Sequence, residues 1–549
     1  MIPYINVPFD YASNLLGAST DEIKMVFLFL LSYPLAGILK RLPDSKPWTK
    51  NVYIIAISVF FLVGLFDLWS GLVLIAFDAV GTYLIAKYVQ GPYMPWVGFV
   101  FLMGHMSVSH IYRQMANSPS SVDITGAQMV MVMKLSAFCW NVWDGKQDPK
   151  ELNDDQKDRM LTSLPPVLDY AGFVAFFPSL MIGPAFDYVD YHRWLNTSMF
   201  DLPPGTDPMK APPTRKRRKI PRSATPALIK MVKGLLWLVA FLQCSAYFTS
   251  EAVLGDEMLA HNLAWRIFYL HMLSFVTRMK YYAAWSLTDG ACTLSGIGYK
   301  GLDPKTGKPN WDRLVNIKPA GVEFAQNSHA YLGNWNCNTN HWLRNYMYLR
   351  VTPKGKKPGF RASLATFVTS AFWHGFYPGY YLTFVLASFI QNVAKSTSLP
   401  PRGLMSITDL TTDSRRLLRP FFLSPDGKPL PRKRYYDIFT WLVTQLTFSF
   451  TTAPFILLTI HDSMLAWSRV YFYCPIGVAL CSLFLASPGK AWLAKKAKAH
   501  AGAKRPAVSR SESMESLQGA TLGVPSEPGK EFDEVSTGLA GGLWASNLC

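Results

Sequence analysis

The feature that most constrains this chain is the recurrence of apolar runs about as long as a bilayer core is thick. Asn51–Phe66, Trp69–Val89, Met94–His110 and Leu228–Phe248 each approach the roughly 20 residues a helix needs to cross the hydrocarbon. In lipid every backbone polar group must be satisfied internally, so such runs are helices or strands of a closed barrel. These runs are continuous rather than alternating, which excludes the barrel pattern. The expected fold is therefore an all-α polytopic membrane protein with about nine to eleven membrane-embedded helices, counting shorter runs of re-entrant or interfacial length. Met1–Thr20 carries Asp10 as its one charge and lacks the n-region, h-region and cleavage site of a secretory signal, so the first apolar run, Met25–Leu39, is expected to stay in the mature chain.

Charge agrees with a lipid environment. Only 16% of residues are charged, against about 25% in an ordinary soluble domain, and 50% are hydrophobic. The net charge of +18 does not form a soluble basic face. It gathers between and after apolar runs, at Lys40–Lys50, Arg215–Lys219, Arg350–Arg361 and Lys490–Arg510. That distribution favours a membrane surface over nucleic acid as the partner, and by the positive-inside rule it puts these flanks and the C-terminal tail in the cytosol. The seven cysteines include no CxxC pair, so neither a disulfide framework nor a zinc site is expected.

Three stretches read as extramembranous. Asp144–Arg159 is dense in Lys, Asp and Glu, and Pro203–Pro226 combines seven prolines with the Arg215–Lys219 run. After Ala486 the chain turns basic and then rich in Ser, Gly and Glu. The expected organisation is an N-terminal segment at 1–24, a membrane domain at 25–490 with a basic loop at 203–226, and a disordered tail at 491–549. No repeat of 20–50 residues and no pair of matching halves is found, which weighs against a secondary transporter.

Two stretches can carry chemistry. The first, from Tyr331 to Arg350, reads YLGNWNCNTNHWLRNYMYLR and places five asparagines among aromatic residues. An uncharged amide can be buried near lipid more cheaply than an acid when it is hydrogen-bonded. For each amide alone, capping or cross-linking a helix stands beside catalysis. The second stretch places His374 after a mainly apolar run, Ala362–Trp373. An ionisable side chain at membrane depth marks a functional site by default. His105, His110, His271 and His461 also lie near apolar segments, but Gly375, Pro378 and Gly379 set His374 apart, because they should break the helix and open space beside the imidazole. No P-loop, GxSxG elbow or dinucleotide fingerprint is present.

WHGFYPGYYLTF (Trp373–Phe384) resembles the histidine motif of the lysophospholipid acyltransferases in the membrane-bound O-acyltransferase (MBOAT) family, and WNCNTNHWLRNYMYLR (Trp335–Arg350) resembles their asparagine motif. Upstream, DITGAQMVMVMKLSAFCWNVWDG (Asp123–Gly145) and FFPSLMIGPAFDY (Phe176–Tyr188) resemble the same subgroup in the same order, and the likeness covers roughly residues 20–490. It implies a multi-spanning protein of the endoplasmic reticulum with an internal chamber. There acyl-CoA is the co-substrate, no cofactor or metal is used, and a fatty acyl group passes to the free hydroxyl, at sn-2, of a lysophospholipid. By this resemblance His374 is the catalytic histidine and Asn336 the catalytic asparagine, with Asn340 the second choice. Trp335, Trp373, Tyr377, Tyr380 and Asp123 are expected to shape the chamber. Asp187 lies in a family-like motif and reads otherwise as a loop or helix-end residue. Lys354, Lys356, Lys357 and Arg361 read equally as contacts to the CoA phosphates and as a topology signal. Cys337 adjoins the asparagine motif without any neighbour that would make it a thiolate. A sterol, diacylglycerol or protein acceptor is the nearest alternative. A lipid transporter or scramblase, with His374 as a proton relay, is the alternative from another class.

Overall fold

The computed structural model describes residues 4–116, 122–202, 211–214, 218–353, 356, 358–395 and 431–500, and it is helical almost throughout them. In chain order the helices used below are α1 (Val7–Leu16), α2 (Thr20–Leu39), α3 (Pro47–Val59), α4 (Trp69–Tyr88), α5 (Met94–Met115), α6 (Thr125–Asp144), α7 (Val167–Val174), α8 (Ala224–Ser245) and α9 (Leu263–Ser295). They continue with α10 (Ser328–Asn334), α11 (Cys337–Leu343), α12 (Phe360–His374), α13 (Pro378–Lys395), α14 (Lys433–Leu457), α15 (Ile460–Arg469), α16 (Tyr473–Ala486) and α17 (Gly489–His500). Among the described residues the strands are one antiparallel pair, Gly301–Leu302 with Pro309–Asn310.

Helix α2 begins earlier than its apolar run. Ser19 and Glu22 exchange side-chain-to-backbone hydrogen bonds in a capping box, which satisfies amides that the first turn would leave open. The segment read from sequence as 1–24 therefore contains α1 and the first turn of α2. At the other end, α17 carries helix to His500, into the stretch read as tail. The polar stretch after α6 holds a short helix, Asp154–Arg159, with its own capping box from Asn153.

Helices α2, α4, α8 and α3 with its extension to Leu65 are long and apolar enough to cross a membrane, and α15 with α16 would add a fifth as one span bent by 77°. Helices α5, α6, α9 and α14 have the length but carry more polar side chains. The reason is visible in α6, which buries nearly every residue from Thr125 to Asp144, whereas only 11% of the apolar window of α8 is buried. A helix enclosed by protein need not be apolar all round.

The described residues fall into two compact units. The first lies within Met1–Gly255, Met272–Ile317 and Ser370–Tyr380, and the second within Asp256–His271, Lys318–Thr369 and Tyr381–Cys549. In the first, α5 packs against α4 and α6. Gly98 makes the approach to α6 close: a Cβ there would lie 2.6 Å from Cys139 Sγ. Polar side chains inside this packing are partnered. Asp78 on α4 meets His105 Nδ1 on α5 at 2.6 Å and accepts a 3.2 Å bond from Gln128 on α6. Lys134 on α6 donates to the carbonyls of Phe173 and Val174, the open end of α7, and lies 4.4 Å from the Phe173 ring centroid. With no carboxylate partner among the described residues, this buried amine is held by helix-terminal carbonyls and an aromatic face. Lys230 on α8 pairs with Asp289 on α9 at 2.8 Å.

In the second unit α14 is tied to the chain just before α10. Trp441 Nε1 donates to Glu323 O at 2.7 Å, Gln445 Nε2 donates to Val322 O at 2.8 Å, and the Tyr331 and Phe448 rings stack at 3.9 Å. Trp467 on α15 stacks on Phe450 at 4.8 Å and donates Nε1 to its carbonyl.

Candidate active site

His374 belongs to the first unit and is the last residue of α12. The helix stops because Gly375 adopts a φ of +119°, a conformation other residues rarely take, and its N–H bonds back to Phe372 O at 3.1 Å. Pro378, which has no N–H to satisfy, then opens α13. Gly379 lies inside α13 rather than in the break, so the interruption expected from Gly375, Pro378 and Gly379 rests on the first two.

The surroundings of His374 are aromatic. Its ring stands edge-on to Trp373 at 4.7 Å and tilts toward Tyr380 at 5.6 Å, and Tyr377 meets Tyr380 edge-on at 6.1 Å. Trp373 is anchored by its Nε1, which donates to Met129 O on α6 at 3.0 Å. The structure thus brings His374, Trp373, Tyr377 and Tyr380 together within the first unit. Asp123, also in this unit, has a plain structural task. It accepts bonds from the Thr125 N–H and hydroxyl at 3.0 and 2.8 Å at the start of α6, and faces Arg113 at 3.7 Å. Asp187 pairs with Arg159 at 3.0 Å just ahead of the helix Tyr188–Leu195.

Asn336 belongs to the second unit, together with Trp335, Asn340, Lys356 and Arg361. Helix α10 begins under an Asn327 cap and ends at Asn334, and Trp335 is extended. Asn336 then takes φ +44° and ψ +54°, a left-handed conformation that asparagine tolerates better than most residues, and α11 starts at Cys337. The kinked stretch separates the amides by environment. Asn334 is buried and donates to Ala330 O at 2.8 Å and Gly321 O at 3.3 Å. Asn340 donates to Leu332 O at 2.9 Å, and Asn345 bonds the His341 ring at 2.9 Å. The Asn336 side chain makes no cap bond, and it has no hydrogen-bond partner among the described residues.

Cys337 Sγ donates to Gly333 O at 3.3 Å, which requires the protonated thiol and argues against a nucleophile there. Lys356 and Arg361 are exposed just before and within the first turn of α12, while Lys354 and Lys357 lie outside the described residues. Sequence reasoning noted His105 and His110 only as lying near apolar segments and did not find their partners, Asp78 and Gln128 for the first and the Trp373 carbonyl for the second. Their signal was slight: single polar residues inside apolar runs.

The MBOAT, membrane-bound O-acyltransferase, family model matches residues 111–400. A Schizosaccharomyces pombe protein named lysophospholipid acyltransferase is 43% identical over 534 residues, covering 96% of this chain and 99% of that protein. A Saccharomyces cerevisiae protein of the same name is 41% identical over 478 residues, 85% of this chain and 74% of that one. Human membrane-bound glycerophospholipid O-acyltransferase 2 is 28% identical over 382 residues, 68% of this chain and 67% of that one. With a family match over more than half its length and a near full-length relative at this identity, the chain belongs to the membrane-bound O-acyltransferase family.

Proposed function

We propose that this O-acyltransferase moves a fatty acyl group from acyl-CoA to the free hydroxyl, at sn-2, of a lysophospholipid, with His374 as general base and Asn336 as oxyanion donor. The near full-length likeness to one protein named lysophospholipid acyltransferase, with a likeness over 85% of this chain to a second of that name, carries this reading. In the reaction the acceptor hydroxyl loses its proton to the imidazole as its oxygen attacks the thioester carbon. The carbonyl oxygen gains negative charge, which an amide N–H can bond, and the C–S bond then breaks. Coenzyme A leaves as a thiolate and takes the proton back from the imidazolium. A thiol pKa of about 8.5, by analogy with cysteine, makes strong acid assistance unnecessary. The balance needs no cofactor, metal or acyl-enzyme. Lys354, Lys356, Lys357 and Arg361 are assigned to the CoA phosphates, since four cations within eight residues suit a polyanion.

Purified protein given labelled oleoyl-CoA is expected to acylate one or more members of a lysophospholipid panel. Sterol, diacylglycerol and peptide acceptors should stay unlabelled. Label only in those, or lipid flux in proteoliposomes without acyl-CoA consumption, would overturn the reading.

The proposed location is the endoplasmic reticulum membrane, with the basic loop and C-terminal tail in the cytosol. Arg218 donates to Leu42 O at 2.9 Å and to Arg41 O at 2.6 Å, and Lys40 donates to Pro221 O. Arg218 and Pro221 of the basic loop therefore lie beside the basic flank after α2, which supports a common cytosolic side. Each basic residue near an anionic leaflet is worth about 1 kcal/mol. Protease added outside sealed microsomes is expected to cut both Arg215–Lys219 and the tail beyond Lys490. Cutting of either only after detergent would reverse the orientation.

A further inference from the structure

The last carbonyls of a helix have no partner within it, and at apolar depth each must find one elsewhere. At the end of α12 the Phe372 carbonyl is taken by the Gly375 N–H. The Trp373 carbonyl, one residue before His374, is taken from outside the helix: His110 Nε2 on α5 lies 3.1 Å from it, and His110 is buried. Because a carbonyl only accepts, that nitrogen carries the proton, which fixes the tautomer of a neutral His110. The same ring packs on the following residue. A Cβ on residue 375 would lie 2.9 Å from His110 Nδ1, so the left-handed glycine is also the one residue small enough to accept the imidazole.

We infer that His110 is a positioning residue for His374: its Nε2–H holds the Trp373 carbonyl while its ring rests on Gly375, so both peptide groups flanking the base are set from α5. Two further contacts make this a rigid mount. Trp373 is pinned to α6 through Met129 O, and α5 is tied to the start of α6 by Arg113 facing Asp123 at 3.7 Å. All of these residues lie in the first unit. His110 touches no reacting atom in this scheme. It decides where the His374 imidazole points, and a displacement of about 1 Å from a supporting change can cost about a hundredfold in turnover.

The inference rests on the proposed role of His374, so the test separates the two. Glutamine at 110 carries its amide N–H at the same number of bonds from Cβ as His Nε2, whereas asparagine places it one bond short. His110→Leu and His110→Asn are expected to lower kcat by about ten- to a hundredfold, with the KM for oleoyl-CoA within about twofold of the starting protein. His110→Gln should recover most of that loss. Equal activity of the Gln and Asn variants, or a Leu variant with more than half the starting kcat, would overturn the inference. Should His110→Leu not fold, the Gln and Asn pair decides alone. His374→Gln in the same assay isolates the other reading: if it stays active, the base assignment fails whatever His110 does, and if it is dead while the His110 variants turn over normally, only the present inference fails.

Discussion

His374→Gln is expected to lower acyl transfer by about a hundred- to ten-thousandfold at saturating substrate, the range that general-base assistance supplies. The protein should remain inserted and monodisperse and should still bind acyl-CoA. Glutamine keeps similar bulk and a hydrogen-bonding end, so packing against Trp373 and Tyr380 changes little, and the helix still stops at Gly375. What is lost is a nitrogen able to take a proton near neutral pH. An alcohol attacking a thioester needs that acceptor because its own proton is held far too tightly to leave first. The measurement is initial rate with labelled oleoyl-CoA and the best lysophospholipid, normalised to protein. Turnover above about a tenth of the starting value would make His374 a structural residue, and the general-base step would fall with it.

Asn336→Ala should cost about a hundredfold or more in kcat, because one preorganised oxyanion donor is worth about 3–4 kcal/mol, with acyl-CoA binding largely kept. Alanine at φ +44° adds backbone strain of about 1–2 kcal/mol, so Asn336→Gly is the cleaner partner: it relieves the left-handed residue and still removes the amide. Both variants should be similarly slow. Asn340→Ala should instead act mainly on stability, since its amide serves Leu332 O. A fast Asn336→Gly beside a dead Asn340→Ala would move the donor to the second-choice residue.

How far the sequence could be read differs from element to element for physical reasons. Helices α2, α4 and α8 were legible because they face outward over most of their surface, where lipid demands apolar residues on every side. Helix α6 was visible as a motif, but its near-complete burial was not, since Gln128, Lys134 and Asn141 look like breaks in a span until their partners are known. Helix α17 was hidden by composition: a run of lysines and alanines reads as tail, yet those are good helix formers. At the site, His374 and the helix break after it were legible from Gly375 and Pro378, while Gly379 proved to be an ordinary member of α13.

The sequence by itself determined that this chain is helical, crosses a membrane several times, and sets an imidazole at a helix end and a row of amides in one short stretch. Those properties follow from local demands: backbone groups in hydrocarbon must pair within their own segment, and a left-handed glycine such as Gly375 stops the helix it follows. Only the tertiary structure decided which amides are already bonded. Asn334, Asn336 and Asn340 are chemically identical and sit within seven residues, but two of them spend their N–H groups on Ala330, Gly321 and Leu332 carbonyls, while Asn336, in its left-handed turn, has no such partner among the described residues. The mount for His374 was likewise invisible in one dimension, because His110 lies 263 residues before the carbonyl it holds, and hydrogen bonding is satisfied by neighbours in space rather than in sequence.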